Sequence, residues 1–278
     1  MHDIIQSIFN ITMISFVAGI MITLGLGVKT SDVIEQFKET RLVIFSVIAN
    51  FIAVPLFALA LVSFFDASKG VSIGIILLSL GAGAPFIPKI VQTAKGNTYG
   101  SIGLMLLLSV ISILFMPIVI PIIFSDASVS SLQIANSLLF TMLIPLMAGM
   151  IINAYYPLLA TKLLPWTNKI SNLSVVLLIF ALIYLYTDVI ISHVSVIPII
   201  VVFFLGSMAI GYLSAGKNKT AKISLSVGTG LRNPPIAMLV ASEHFSSEPV
   251  AGIIALLMVI IGLSILFPLA VWRGKHVE

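Results

Sequence analysis

Leu78-Ser79-Leu80-Gly81-Ala82-Gly83-Ala84-Pro85-Phe86-Ile87-Pro88-Lys89 returns in altered form as Leu225-Ser226-Val227-Gly228-Thr229-Gly230-Leu231-Arg232-Asn233-Pro234-Pro235-Ile236. The offset is a constant 147 residues, Leu78 to Leu225, and Leu-Ser, both glycines and one proline coincide. Each stretch interrupts an apolar run, one near 71–94 and the other near 221–242. Proline removes a backbone N–H and clashes with the preceding turn, and glycine lets the chain leave helical geometry. Gly81, Gly83, Pro85 and Pro88 in the first run, and Gly228, Gly230, Pro234 and Pro235 in the second, therefore predict two broken helices. Their freed N–H and C=O groups must face protein or a cavity, because lipid leaves them unsatisfied. Interrupted spans in corresponding positions of two halves are the best sequence pointer to a transporter site.

The rest of the chain supports that reading. Of 278 residues, 59% are hydrophobic and 9% charged, where a soluble domain carries about a quarter charged residues. With a mean hydropathy of +1.20, the chain cannot cover itself with a polar surface, and the bilayer is its solvent. Apolar runs near 4–27, 42–65, 71–94, 98–124, 133–155, 170–187, 195–215, 221–242 and 249–272 predict an all-α membrane protein of nine transmembrane helices. The first run is too long for a signal-peptide core and is read as a retained helix. With the N-terminus outside, the inner segments carry Lys29, Lys38, Arg41, Lys95, Lys162, Lys169, Lys217, Lys219, Lys222, Arg273 and Lys275, and the outer segments carry Lys69 alone. That asymmetry obeys the positive-inside rule and predicts a cytoplasmic C-terminus in a bacterial-type cytoplasmic membrane. It also explains the net charge of +4 without nucleic acid.

Traced through this topology, the first interrupted span runs inward and the second outward. The halves are inverted repeats: 1–124 with four spans and 125–278 with five. Ser112-Ile113-Leu114-Phe115 before Pro117 and Ser264-Ile265-Leu266-Phe267 before Pro268 mark the span after each break. All ten carboxylates fall in loops or tails, so Lys89 and Arg232 are the intramembrane charges, and such charges are functional-site candidates by default. The Arg232 fork suits an organic anion, or else the carbonyls ending a half-helix, in place of a metal ion. Lys89 has the same two readings, or carries a proton. Asn233 contacts substrate or caps the half-helix that Pro234 begins. Thr229 and Asn50 are polar residues within spans. Cysteine is absent, and the four histidines form no metal or triad constellation, so no catalytic group, metal site or cofactor is expected. The pattern favours a carrier of a small organic anion working by alternating access over a channel or an intramembrane enzyme.

Met21-Ile22-Thr23-Leu24-Gly25, Ala49-Asn50-Phe51-Ile52-Ala53-Val54-Pro55, Ala94-Lys95-Gly96-Asn97, and Asn233 followed by His244-Phe245 give the chain a further likeness. It resembles the bile acid:sodium symporter family. The resemblance implies a panel domain and a core domain, with the two broken helices crossing in the core. Bacterial relatives often have ten spans, and nine corresponds to loss of the first. In the symporters the second break reads Glu-Val-Gly-Met-Gln-Asn. Here Gly228 stands at the sodium-binding glutamate and Arg232 at the glutamine. Ile87 and Pro88 replace a Ser-Asn pair, Ser101 matches a ligand serine, Met105 replaces a threonine, and Asn50 replaces a glutamine. With most sodium ligands missing and a guanidinium among them, the expectation is transport without the family's two-sodium coupling. Alternatives are a sodium-dependent symporter with a reduced ion site, or an efflux carrier or channel of the same fold; the proline-rich breaks also resemble auxin-efflux-type carriers.

Overall fold

The computed structural model describes residues 2–28, 40–125, 130–217 and 219–276. The loop charges at 29–39, together with Asp126 and Glu278, lie outside the described residues. Within the described residues the chain is all-helical. The helices are α1 (His2–Gly27), α2 (Thr40–Phe64), α3 (Lys69–Leu80), α4 (Ile87–Thr93), α5 (Thr98–Ile123), α6 (Ser131–Tyr155), α7 (Pro157–Ser192), α8 (Ile197–Ser214), α9 (Lys219–Gly230), α10 (Pro234–His244) and α11 (Val250–His276).

Among the described residues six helices are long and apolar enough to cross a membrane: α2, α5, α6, α7, α8 and α11. Ile11–Gly27 of α1, and α3, are shorter apolar helices. The expected count of nine is met by continuous helices only in part, for a geometric reason. At about 1.5 Å rise per residue, a helix the length of α3 reaches about 18 Å into a hydrocarbon core about 30 Å thick. The runs near 71–94 and 221–242 are each a pair of such pieces, α3 with α4 and α9 with α10. The run expected near 170–187 belongs to a longer helix that starts at Pro157 and loses helical geometry at Tyr186 (φ −131°, ψ 22°).

α1 packs mainly on α6 and α7, while the pieces of the two broken runs pack among α2, α5, α8 and α11. The first contact is made close by glycine. A Cβ on Gly149 of α6 would lie 2.5 Å from the Ile22 carbonyl oxygen, and one on Gly25 of α1 2.7 Å from the Met150 nitrogen. Small residues that let backbones meet are the usual means of packing helices in lipid. α3 and α10 are the most deeply buried pieces of the broken runs. Every residue of α3 from Ile73 to Leu80 is buried, as is α10 from Pro234 to Ala241. By contrast Ile118 and Ile122 on α5, Phe140 on α6 and Phe180 on α7 are exposed, as helices facing acyl chains require.

Two helices contain a π-helical turn, Ala49–Ala53 in α2 and Leu139–Leu143 in α6. Each is followed by proline, Pro55 and Pro145. In the first turn the Val54 N–H bonds to the Ala49 carbonyl, five residues back. The next bond in that series would run from residue 55 to the Asn50 carbonyl, but Pro55 has no N–H to give. The Asn50 carbonyl is thereby left free in the middle of a membrane helix.

Candidate functional site: a buried guanidinium between two broken helices

The first break occupies residues 81–86. Gly81 is extended (φ −86°, ψ 101°) and Gly83 takes φ +82°, a conformation that disfavours any side chain. Continuation of α3 would send the N–H groups of residues 82 and 83 to the carbonyls of Leu78 and Ser79. Instead the Ala82 N–H donates to Ser112 Oγ at 2.7 Å. The chain has turned away, and α3 ends with orphan carbonyls.

The second break occupies residues 231–233, between α9 and α10. Gly228 and Gly230, expected to lie in it, are instead in the last turn of α9. The helix runs three residues further than the offset from α3 implies, since its glycines keep helical geometry and the chain departs only ahead of Pro234. The Asn233 N–H, which would have closed α9 onto the Thr229 carbonyl, crosses to the Gly81 carbonyl at 2.9 Å. One backbone bond thus joins the two breaks and frees the Thr229 carbonyl.

Arg232 takes up what these departures leave. Its side chain is 0% exposed. Nε donates to the Leu78 carbonyl at 3.0 Å. Nη2 donates to the Ser79 carbonyl at 2.5 Å and to the Asn50 carbonyl at 3.4 Å. Nη1 donates to Asn50 Oδ1 at 2.5 Å and to the Thr229 carbonyl at 3.3 Å. A guanidinium has five N–H groups, and five acceptors surround this one. No carboxylate is among them. Its charge is met by the C-terminal ends of α3 and α9, each carrying a partial negative charge of about half a unit. No donor is left over for a substrate anion, so of the two sequence readings of Arg232 the geometry favours the carbonyl-binding one.

The remaining polar residues hold this arrangement. Asn50 Nδ2 donates to Thr229 Oγ1 at 3.1 Å and to the Ser46 carbonyl at 2.9 Å, which fixes its Oδ1 toward Arg232. Asn233 Oδ1 accepts from the Ile236 N–H at 3.5 Å, and its Nδ2 donates to the Gly83 carbonyl at 3.1 Å. It therefore caps α10 and ties that helix to the opposite break. Ser109 and Ser112 of α5 complete the frame. Ser109 Oγ donates to the Gly83 carbonyl at 2.8 Å, and Ser112 accepts from Ala82 as above. Sequence reasoning missed both in this role. Their signal is a pair of serines three apart on one face of an apolar helix that adjoins the break.

Arg232, Asn50, Thr229 and Asn233 are thus brought together, all fully buried. Lys89 is not. Its side chain is exposed on α4, so the expected pairing of the two intramembrane cations does not form around these carbonyls. The break places Lys89 beyond Pro88, on the half-helix leading away from the crossing. Ser101 is buried but bonds within its own helix, to the Thr98 carbonyl at 2.6 Å. Pro85 lies in the turn of the first break, Pro88 in the first turn of α4, and Pro234 and Pro235 in the first turn of α10, where a missing N–H costs nothing.

Known proteins resemble this chain in sequence. The description of the Sodium Bile acid symporter family matches residues 13–193. An uncharacterized sodium-dependent transporter of Bacillus subtilis is 24% identical over 240 residues, which cover 83% of this chain and 74% of that protein. Two probable sodium/metabolite cotransporters of Arabidopsis thaliana chloroplasts are 24% and 22% identical, over 88% and 84% of this chain. The matches span only 59% and 61% of those two plant proteins. The family match covers well over half of the 278 residues, and with it the first broken run, the Asn50 turn and the α5 serines. The chain belongs to the sodium bile acid symporter family and is an integral membrane transporter, not an enzyme.

Proposed function

We propose that the protein is a secondary transporter of a small organic anion in which Arg232 does the electrostatic work of a bound cation, so that transport is not coupled to sodium. The observation that carries this reading is the complete burial of Arg232, with all its N–H groups directed at neutral oxygens where two half-helices end. A dissociable cation at such a crossing binds and leaves during the cycle; a tethered one cannot leave and cannot carry an ion gradient. Gly228, at the position of the symporter glutamate, offers no carboxylate to balance an added ion. The anionic substrate class rests on family membership. Lys89, with an exposed side chain, is assigned to contact with the anion, while Asn50, Thr229 and Asn233 position the crossing.

The architecture that serves this function is nine spans in inverted halves, 1–124 and 125–278. A panel of α1, α6 and α7 moves against a core of the remaining helices. The N-terminus is outside and the C-terminus cytoplasmic. A reporter fused after Glu278 is expected to be active in the cytoplasm; an external C-terminus overturns the span count.

Sodium-dependent symport through a reduced ion site is the second reading, favoured by the names of the relatives. Thermal unfolding of the purified chain in sodium, potassium or choline chloride at equal ionic strength separates the two. A site holding sodium at 100 times its dissociation constant adds about 2.7 kcal/mol. The expected result is no difference among the three salts. Saturable stabilisation by sodium alone overturns the proposal.

A further inference from the structure

A cavity of about 400 Å³ lies between α4, α8, α9 and α11, apart from the Arg232 crossing. Among its lining residues there is none from α1, α6 or α7. Its walls combine apolar and polar surface: Ile90 of α4 and Leu266 and Leu269 of α11 line it, and so do Lys222 and Arg273. Lys222 is held in place. Its Nζ lies 3.3 Å from Tyr212 Oη and 4.4 Å from the centre of the Tyr212 ring. A cation–aromatic contact of this kind orients the ammonium without neutralising it. Among the described residues no carboxylate lines the cavity.

The depth of this cavity in the bilayer follows from its neighbours. Lys222 lies in the first turn of α9, whose N-terminal end faces the side that the charge pattern makes rich in Lys and Arg, and Arg273 lies in the last turn of α11 on that same side. Trp272, next to Arg273, is 63% exposed, and tryptophan and tyrosine concentrate at headgroup level. α11 is fixed there by a close approach to α4, where a Cβ on Gly274 would collide with the Thr93 carbonyl oxygen. The result is a recess that is cationic at headgroup depth and apolar toward the membrane centre. Its volume is in the range of small-molecule sites, about 300–1,000 Å³.

We infer that this recess binds the phosphate of an anionic phospholipid, with Lys222 and Arg273 on the phosphate and the apolar walls against the glycerol and upper acyl chain. Basic pockets between helices on the cytoplasmic side are suited to such headgroups. A soluble anion would satisfy the cations but has no use for the apolar walls, and a zwitterionic lipid brings a cation of its own toward Lys222. The lipid joins pieces of both broken runs, α4 and α9, to α8 and α11.

The test uses the full chain purified in detergent, titrated with short-chain phosphatidylglycerol, short-chain phosphatidylcholine or glycerol 3-phosphate, with thermal unfolding as the readout. Phosphatidylglycerol is expected to raise the melting temperature saturably, and phosphatidylcholine and glycerol 3-phosphate are not. Lys222→Gln with Arg273→Gln is expected to weaken the phosphatidylglycerol response about tenfold or more, each surface cation contributing about a factor of five. Both positions are at least partly exposed, so the variant is expected to fold; should it not, Lys222→Gln alone is expected to weaken the response about fivefold. An equal response to glycerol 3-phosphate overturns the lipid as occupant in favour of a soluble anion. An equal response to phosphatidylcholine, or an unchanged response in the variants, overturns the site itself. Because the Arg232 crossing is untouched, a failure here leaves the reading of sodium independence standing, and sodium stabilisation would leave this one standing.

Discussion

Arg232→Gln is expected to lower the melting temperature of the purified protein by on the order of 10 °C. The side chain caps the carbonyls of Leu78, Ser79, Thr229 and Asn50 and accompanies Asn50 Oδ1. Each buried acceptor left without a donor costs about 1–3 kcal/mol. Hydrogen bonds to a charged group contribute about 1.5–3 kcal/mol each, more than neutral ones. A glutamine amide brings two donors and no charge, so it serves at most part of the cluster while the two helix ends keep their partial charges. Each kcal/mol is worth about 2–4 °C for a chain of 150–250 residues, which gives the expected drop. Arg232→Lys separates charge from geometry. Lysine keeps the charge but presents it as a point with three donors rather than a planar fork, and is expected to recover part of the loss. A glutamine variant that melts within 2 or 3 °C of the parent protein, as observed by thermal unfolding in detergent, would show that the carbonyls find other partners and would remove the basis for Arg232 as the tethered cation.

The second large effect is expected at Gly83, where alanine should destabilise by about 3 kcal/mol or more. Gly83 has φ +82°, and a left-handed conformation costs an L-residue about 1–2 kcal/mol. The added Cβ would also stand 2.5 Å from the Ser109 nitrogen, with the Met105 carbonyl oxygen and Ser109 Oγ closer still. These are backbone and hydrogen-bonding atoms of α5, and they cannot swing aside as a flexible side chain would. Relieving the clash means moving α5 and giving up the Ser109 bond to the Gly83 carbonyl; forcing an added methyl into packed structure typically costs about 1–3 kcal/mol. Gly252→Ala is the matched control. It lies in the helix α11 with nothing within 4 Å of the added Cβ, and alanine is favoured over glycine in a helix by up to about 1 kcal/mol. The two substitutions should therefore shift stability in opposite directions. Equal melting temperatures for Gly83→Ala and the parent would mean that the first break is not held against α5.

The first run breaks where the sequence clusters Gly81, Gly83 and Pro85; the cluster rather than a lone proline marks the place, since Pro117, Pro121 and Pro268 lie inside continuous helices. The second break was legible only to within a turn. Gly228 and Gly230 permit departure from the helix without demanding it, and α9 runs on through both. Lys89 and Arg232 look alike in sequence, each a lone cation beside a proline in an apolar run. They part in space, one exposed on α4 and the other fully buried. Sequence position gives the depth of a side chain along the chain but not the direction it points around a half-helix of uncertain start. Likewise the free carbonyl of Asn50 depends on a π-helical turn, whose single extra residue no propensity announces.

The membrane setting, the helical class and the two matched interruptions were determined by the sequence alone, since they depend on hydropathy summed over twenty residues and on the backbone chemistry of glycine and proline. Which carbonyls those interruptions orphan, and that one guanidinium 153 and 154 residues away from Ser79 and Leu78 collects them, was decided by tertiary structure. The reason is that hydrogen bonds between non-helical segments obey the geometry of the crossing. The Asn233 N–H reaches the Gly81 carbonyl only because two segments with no local relationship are packed at one point, and the acceptors that this bond and Pro55 leave behind define where the charge of Arg232 must sit.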